Sequence, residues 1–275
     1  MCDVARSTRV DVRYLPTKPV PSITSQRTVP HCYHGAARQG KRPDARGGES
    51  GALLLLRAMK GFVRLDRAEL AQLTARSGNL GTPPQYTHKN PLVREMVWRR
   101  LETLMGLSKA PVHGKVLDFG GGNGILTPTL SNLYGDVVCV DVQPEMADEV
   151  VRGRNLENVA IYRKDLLGLA LPAASFDTIV AADVLEHIID YEPVVREFLR
   201  ILVPGGELLV SAPSENLLYA IARFAFGYEK PADHYHAAEG IERGVSAVLP
   251  VTKRRCFPVN TPQLSFFWLM RFEAR

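Results

Sequence analysis

From residue 115 onward, short apolar runs alternate with stretches of helical periodicity. The runs are rich in Val, Ile, Leu and Phe, which favours strands, and clusters of glycine, proline and asparagine separate them. Strands that alternate with helices imply βαβ units and a parallel sheet covered by helices. We predict strands at 115–119, 136–141, 158–162, 176–182 and 206–212, and helices near 125–134, 144–155, 190–202 and 216–225.

Two further regions flank this pattern. Downstream, residues 250–258 and 264–274 form two strand-like runs separated by a proline-containing turn. Upstream, Asn90-Pro91 opens a helical stretch, because asparagine is a good N-cap and proline suits the first helical position. The apolar stripe of this helix is predicted to contain Leu92, Val93, Met96, Val97, Leu101, Leu104 and Met105.

The first 60 residues differ from the rest of the chain in charge. They carry 11 of the 34 Lys/Arg residues but only 4 of the 29 Asp/Glu residues. We interpret residues 1–60 as a flexible basic extension, with a misplaced start codon (Met59 being nearer the true start) or a transit peptide as alternatives. Residues 61–114 then form an N-terminal helical segment. Since the remainder is slightly acidic, charge gives no reason to expect a nucleic-acid partner.

The most distinctive chemistry lies at residues 116–124, Val-Leu-Asp-Phe-Gly-Gly-Gly-Asn-Gly. A strand that runs into a glycine turn and then a helix lets the backbone approach a ligand closely. The next apolar run ends at Asp141, whose carboxylate can hold a ribose diol. A dinucleotide fingerprint requires glycine where this chain has Ile125, so the spacing disfavours a nicotinamide cofactor.

The order of Asp118 and the three glycines at 120, 122 and 124 resembles motif I of the class I methyltransferases that use S-adenosyl-L-methionine. Blocks at 158–165, 175–187 and 202–211 follow in that family's order. The chain looks most similar to the ubiquinone-biosynthesis O-methyltransferases. The resemblance implies a Rossmann-like, doubly wound α/β fold with a mostly parallel seven-stranded sheet, the final strand antiparallel. The methyltransferase domain would span residues 115–275.

The same resemblance assigns the cofactor site. The glycine loop would approach the methionine end of the cofactor, Asp141 the ribose and Asp165 the adenine amino group, while Lys89 or His88 would meet the cofactor carboxylate. The implied cofactor-binding residues are Asp118, Gly120, Gly122, Asp141, Val142, Asp165, Leu166, Ala182 and Lys89.

A carboxylate-rich segment follows the fourth predicted strand, at Asp183-Val-Leu-Glu186-His187. It resembles the Glu-x-x-Glu-His element that is associated with a divalent cation in the ubiquinone-pathway enzymes, with Asp183 replacing the first glutamate. Asp183, Glu186 and His187 are therefore candidate ligands of Mg²⁺, which prefers oxygen ligands. The alternatives are a direct acid–base role for His187, or a structural or substrate-shaping role for the segment.

A second cluster, Asp233-His-Tyr-His236, lies in residues 213–249, which this fold commonly uses as a substrate lid. His234 and His236 are candidate catalytic bases, with ordinary loop residues as the alternative. The apolar stretch 217–228 is too short to cross a bilayer. It is interpreted as lid packing, as the wall of a lipophilic pocket or as a surface that touches a membrane.

Together these features predict an enzyme that methylates a small molecule, most directly on oxygen. A C- or N-methyltransferase of the same fold and a non-catalytic cofactor-binding subunit remain alternatives. The four scattered cysteines show neither metal-ligand spacing nor a disulfide framework, which favours a reducing cytoplasm. Peripheral membrane contact is compatible with the apolar lid, and the oligomeric state is left open.

Overall fold

The computed structural model describes residues 61–77, 84–109, 114–228 and 230–275. All of them lie in the unit formed by residues 48–275, and the predictions for residues 1–60 fall outside the described residues. The strands are β1 (Lys115–Phe119), β2 (Asp136–Asp141), β3 (Val159–Arg163), β4 (Phe176–Ala182), β5 (Leu202–Pro213), β6 (Val251–Pro258) and β7 (Ser265–Glu273).

These strands form one seven-stranded sheet in the order β3-β2-β1-β4-β5-β7-β6. Strands β1 to β5 are parallel, whereas β7 runs antiparallel to both β5 and β6. The predicted fold class is confirmed. The strand order reverses between β1 and β4, and ligands of open α/β sheets bind outside the carboxyl ends of the strands at such a switch point.

The strand boundaries follow the sequence closely. β1, β2 and β4 begin and end at the predicted residues, because each is a largely apolar run that is mostly buried on both faces of the sheet. β5 begins at Leu202, four residues earlier than predicted, because the chain enters it directly from the preceding helix.

The helices cover both faces of the sheet. The first two lie in the predicted N-terminal helical segment without having been predicted individually, and the second lid helix was not predicted. The helices are α1 (Arg67–Ser77), α2 (Pro84–Thr87), α3 (Pro91–Met105), α4 (Thr127–Leu133), α5 (Glu145–Arg154), α6 (Glu192–Ile201), α7 (Leu217–Ala225) and α8 (Ala238–Ser246).

Helix α3 shows how local sequence positions one wall of the site. Asn90 caps it as predicted, since its side-chain oxygen accepts the backbone N–H of Leu92 at 2.9 Å. The prediction that Leu92 lies on the buried stripe is wrong, because Leu92 is 75% exposed. Arg100 is buried among the apolar residues of that stripe instead, and a buried guanidinium needs a partner.

Two apolar clusters hold the sheet between its helices. Along β4, Ile179 and Ala181 belong to one cluster and Val180 to the other, as the alternation of side chains in a strand requires. Cys139 and Cys256 are free and buried, in keeping with the interpretation of Cys139 as a small core residue. Within the described ranges, every helix is too short or too polar to cross a membrane.

Candidate active site

The glycine loop, residues 120–124, turns across the carboxyl ends of β1 and β2. The N–H of Gly120 donates to the carbonyl oxygen of Val140 at 2.9 Å, and Gly120 has a φ of 73°. At Gly122, an added Cβ would lie 2.6 Å from Cγ of Asp141 and 2.6 Å from the backbone oxygen of Gln143. Both positions therefore require glycine, and the loop presents its backbone to the crevice.

Asp141 ties this loop to the end of β2. One carboxylate oxygen accepts the N–H of Gly122 at 2.8 Å, and the other accepts the N–H of Gln143 at 2.7 Å. A carboxylate oxygen accepts more than one hydrogen bond, so both oxygens keep capacity for a ligand. Asp141 thus shapes the loop and remains available beside it.

Asp118 lies at the base of the loop and is almost fully buried. Burial, together with the charge of Asp141, raises the pKa of Asp118 to about 7. Its Oδ2 atom has no hydrogen-bond partner within the described part of the chain. A buried carboxyl oxygen without a partner indicates a place for a ligand donor or a cation.

A cavity of about 480 Å³ opens beside Asp118 and Gly120, at the switch point of the sheet. Its walls come from α3, the segment after β4, helix α7 with the chain that follows it, and the start of β7. Most of the lining is apolar and aromatic, for example Leu101, Phe226 and Phe267. A concave apolar pocket with a few convergent polar groups is the usual form of a small-molecule site.

One charged pair in the cavity joins Arg100 of α3 to Asp183, which follows β4. The guanidinium contacts the Asp183 carboxylate directly, and Ser211 donates to the same carboxylate at 2.7 Å. Arg100 also stacks over the ring of Phe267, 4.3 Å from its centroid. Asp183 has a φ of 55°, a left-handed backbone that is uncommon outside glycine and marks functional sites.

A second pair joins Glu215, just past β5, to Arg223 of α7. Arg223 donates to both carboxylate oxygens, at 2.8 and 2.7 Å, and His234 Nδ1 lies 2.9 Å from one of them. Arg223 also stacks over Tyr219, 4.6 Å from its ring centroid. Glu215, like Asp183, has a left-handed backbone, with a φ of 51°.

The cavity lining also contains a cluster of Glu186, His187 and His234. The imidazole rings of His187 and His234 meet edge to face, with 4.8 Å between centroids. Glu186 is almost fully buried and its Oε2 atom has no partner within the described ranges. Burial, helped by the charge of Asp183, raises the pKa of the Glu186 carboxyl well above its ordinary value. The cluster can therefore donate, accept or relay a proton.

Comparison with known proteins gives a family match for the glycine loop and the strands around it. Residues 117–210 match a family model described as a methyltransferase domain. A "Ubiquinone biosynthesis O-methyltransferase" from Xanthomonas axonopodis pv. citri (strain 306) is 33% identical over 157 residues, covering 54% of this chain and 61% of the relative. Residues 117–210 thus have the sequence of a methyltransferase domain.

A second curated relative differs in the atom named as its target. The "Ubiquinone/menaquinone biosynthesis C-methyltransferase UbiE" of Pseudomonas aeruginosa (strain LESB58) is 35% identical over 133 residues, covering 44% of this chain and 51% of the relative. The alignments thus span between about half and three fifths of these two relatives.

The fold of the methyltransferase domain recurs in solved structures. N-methyltransferase NodS from Bradyrhizobium japonicum WM9, solved in complex with S-adenosyl-L-homocysteine, has a TM-score of 0.53 and covers 75% of this chain and 98% of its own. At 19% identity the likeness shows the fold alone.

The predicted cofactor residues of the methyltransferase domain fall into two groups. Asp118, Gly120 and Ala182 line the cavity, while the other predicted residues lie outside its lining. Asp141 and Val142 stand at the end of β2, with Val142 exposed, and Gly122 contacts Asp141. The cavity thus covers only part of the predicted cofactor site.

Three other predicted cofactor residues, Asp165, Leu166 and Lys89, also lie outside the cavity lining. The Asp165 side chain caps a short helical turn by accepting the N–H of Leu167 at 2.8 Å. Leu166 is buried in the core, and Lys89 is exposed and outside the cavity lining. Their roles toward the cofactor stay predictions.

The predicted catalytic histidines also differ in their position relative to the cavity. His187 and His234 line the cavity of the methyltransferase domain, whereas His236 does not. His236 Nε2 lies 3.0 Å from the carbonyl oxygen of Ile189, and its ring packs against Tyr191. His236 therefore holds the lid segment against the chain after β4.

The predicted Mg²⁺ ligands do not converge as a set. Asp183 is engaged by Arg100 and Ser211, and the group whose ligand atoms lie within 4.8 Å of one another is Glu186, His187 and His234. Two imidazoles and one carboxyl do not match the oxygen-rich coordination of magnesium, so the Mg²⁺ prediction receives no support.

Sequence reasoning missed Arg100, Glu215 and Arg223. Each has a sequence feature that could have identified it. Arg100 is a charged residue on the apolar stripe of α3, and Arg223 is the only charged residue of α7. Glu215 follows β5 much as Asp183 follows β4, at the sheet edge where ligands bind.

Proposed function

We propose that this methyltransferase domain transfers the methyl group of S-adenosylmethionine to an oxygen atom of a lipophilic small molecule. The observation that carries the proposal is the shared cavity. Asp118 and Gly120 of the glycine loop line it on one side, and Glu186, His187 and His234 line it on another. A methyl donor held at the loop would meet an acceptor held among the histidines.

The residues at the loop fit S-adenosylmethionine. Side chains at Gly120, Gly121 or Gly122 would collide with neighbouring residues, so the loop keeps the close approach that the cofactor needs. The unpartnered oxygen of Asp118 suits the cationic methionine end, and the Asp141 carboxylate suits the ribose hydroxyls. When bound, the cofactor supplies an electrophilic methyl group.

The opposite side of the cavity suits an oxygen acceptor. A hydroxyl must lose its proton as it attacks, and a positioned imidazole is the usual base. The raised pKa of Glu186 favours its protonated form, which can donate a hydrogen bond to a second oxygen of the acceptor. A carbon acceptor is the alternative, since one curated relative is named a C-methyltransferase.

The lid supports a lipophilic acceptor. Helix α7 turns Tyr219 and Ala222 toward the cavity, while Ile221 and Phe224 on its other side are 55% and 87% exposed. An apolar helix that is exposed on one face and lines a pocket with the other suits contact with a lipid surface. Co-sedimentation of the chain with phosphatidylglycerol vesicles tests this contact, and equal recovery of wild type and Phe224→Glu would refute it.

Two measurements on the full chain test the proposed function. Calorimetry should detect binding of S-adenosylhomocysteine, and labelled S-adenosylmethionine should methylate an alkyl-substituted catechol on oxygen. Binding without transfer to the catechol or to a carbon-acceptor analogue would favour a non-catalytic subunit. Absence of binding to folded protein would overturn the proposal.

A further inference from the structure

His234 is held by one buried carboxylate. Glu215 lies two residues past β5, and its side chain is 8% exposed. One of its oxygens lies 2.9 Å from Nδ1 of His234, whose side chain is 11% exposed. The pair therefore meets in a region where water competes little for the hydrogen bond.

The charge state of Glu215 determines which nitrogen of His234 carries the proton. Burial alone would raise the pKa of Glu215, but hydrogen bonds from Arg223 and His234 outweigh burial and lower it. An ionised carboxylate only accepts hydrogen bonds, so Nδ1 of His234 must donate. In the neutral imidazole, Nε2 then carries the lone pair and can act as a base.

The second histidine–carboxylate pair of the cavity provides a contrast. His187 Nδ1 lies 3.0 Å from a carboxylate oxygen of Asp233, but these side chains are 36% and 61% exposed. Water can replace either partner at such exposure, so this hydrogen bond fixes the imidazole less firmly. Among the predicted catalytic histidines, His234 alone combines a buried carboxylate with a position in the cavity lining.

Arg223 links this arrangement to the lid. It belongs to helix α7, stacks over Tyr219 of the same helix and donates two hydrogen bonds to Glu215. The left-handed backbone of Glu215 costs conformational energy that these contacts offset. Packing of α7 over the cavity and the orientation of the Glu215 carboxylate therefore depend on each other.

We propose that Glu215 is a positioning residue, which fixes His234 in the tautomer protonated at Nδ1 so that Nε2 receives the proton of the acceptor. This inference rests on the proposed function. In the step, a lone pair of the acceptor oxygen forms the new O–CH₃ bond and the O–H proton moves to Nε2. The S–CH₃ bond breaks, and its electron pair stays on the sulfur.

Nitrogen-15 NMR of the full chain tests the tautomer without relying on activity. The wild-type His234 signals, assigned by their loss in His234→Gln, should report an imidazole protonated at Nδ1. Glu215→Ala should shift at least half of the population to the Nε2-protonated form. Glu215→Gln, whose amide oxygen still accepts from Nδ1, should shift it less. An unchanged tautomer in folded Glu215→Ala, or in Glu215→Leu if the alanine variant does not fold, would overturn the proposal, because neither side chain can accept a hydrogen bond from Nδ1.

Kinetics separate positioning from general structural damage. Glu215→Ala should lower kcat about 10- to 100-fold, with KM and the Kd for S-adenosylhomocysteine changing less than about threefold. Glu215→Gln should recover part of the lost kcat. Glu242→Gln, which removes an ion pair with Arg254 outside the cavity lining, is the matched control and should behave as wild type.

The kinetic outcomes also distinguish this inference from the proposed function. A parallel loss of cofactor affinity in Glu215→Ala would assign Glu215 a structural role and refute positioning. If wild type bound S-adenosylhomocysteine but methylated no acceptor while the tautomer shift appeared as expected, the proposed transfer would fail and the role of Glu215 toward His234 would stand.

Discussion

The glycine loop presents backbone atoms to the cavity, whereas the opposite side of the cavity presents charged side chains. The loop is one continuous stretch, 120–124, and its shape depends on missing Cβ atoms and on Asp141. The opposite side collects Arg100, Glu186 and His234 from a helix and two connecting segments. The donor side thus depends on local conformation, and the acceptor side depends on tertiary packing.

Asp118 on the donor side also differs from the two acids on the acceptor side that are paired with arginines. Asp118, beside the loop, keeps an unpartnered oxygen and a pKa raised to about 7. Asp183 and Glu215 on the acceptor side are each paired with an arginine that stacks on an aromatic ring. An unpaired buried acid invites a cationic ligand, while the paired acids hold other groups in position.

Replacing His234 should give the largest effect. This effect should be on kcat and not on the affinity for the cofactor. His234→Gln should lower kcat about 100- to 1,000-fold by removing the base, with little change in cofactor affinity. His236→Gln should stay within about threefold of wild type, because His236 lies outside the cavity lining. Steady-state kinetics at saturating cofactor make the comparison, and equal losses in the two variants would contradict it.

A methyl group added to the loop should damage the donor side. In Gly122→Ala, the new Cβ would lie 2.6 Å from Asp141 and from a backbone oxygen, so the loop must move. We expect the affinity for S-adenosylhomocysteine, measured by calorimetry, to fall about 100-fold. Gly153→Ala is the matched control, since nothing lies within 4 Å of its new Cβ. Wild-type affinity in Gly122→Ala would show that the loop does not cradle the cofactor.

Asp141→Ala should have a smaller effect on the same affinity. It removes the two hydrogen bonds that organise the loop and the proposed ribose contact, which together contribute about 1–3 kcal/mol. Asp136→Ala, at the exposed opposite end of the same strand, should leave the Kd unchanged. Equal Kd values for the two variants would remove Asp141 from the cofactor site.

The smallest expected effect is the release of protons when the cofactor binds. Because the pKa of Asp118 is about 7 without ligand, this carboxyl is mostly protonated at pH 6. A cationic group bound beside it favours ionisation, so binding should release up to about one proton at pH 6 and fewer above pH 7. Affinity should therefore rise with pH through this range.

Calorimetry in buffers of different ionisation enthalpy measures that release. Asp118→Asn cannot release the proton, so its binding enthalpy should no longer depend on the buffer through this group. A buffer dependence that persists unchanged in Asp118→Asn would assign the proton to a different residue.

The sequence predicted the strands and the helix start around the glycine loop well because their determinants are local. Apolar runs, glycine spacing and the Asn90 cap act over a few residues, and they predicted β1, β2, β4 and the start of α3 at the observed residues. The four family-like blocks then led to the fold class and to the expected cofactor.

The contacts of the acceptor side could not be predicted, because they join residues that are far apart in the sequence. Arg100 and Asp183 are 83 positions apart, and Glu215 meets His234 across 19. Spacing and the resemblance to a family element grouped Asp183 with Glu186 and His187. In the fold, Asp183 instead pairs with Arg100, and His234 lies close to Glu186 and His187. Which side chains pair with one another depends on which charged residues the fold buries in the same low-dielectric cavity.

A crystal structure of the chain with S-adenosylhomocysteine tests the central claim most directly. The account predicts that the cofactor sulfur opens into the cavity, facing Glu186 and His234, with the methionine end at Asp118 and the ribose at Asp141. A sulfur that faces bulk solvent, or a cofactor bound away from the glycine loop, would contradict it.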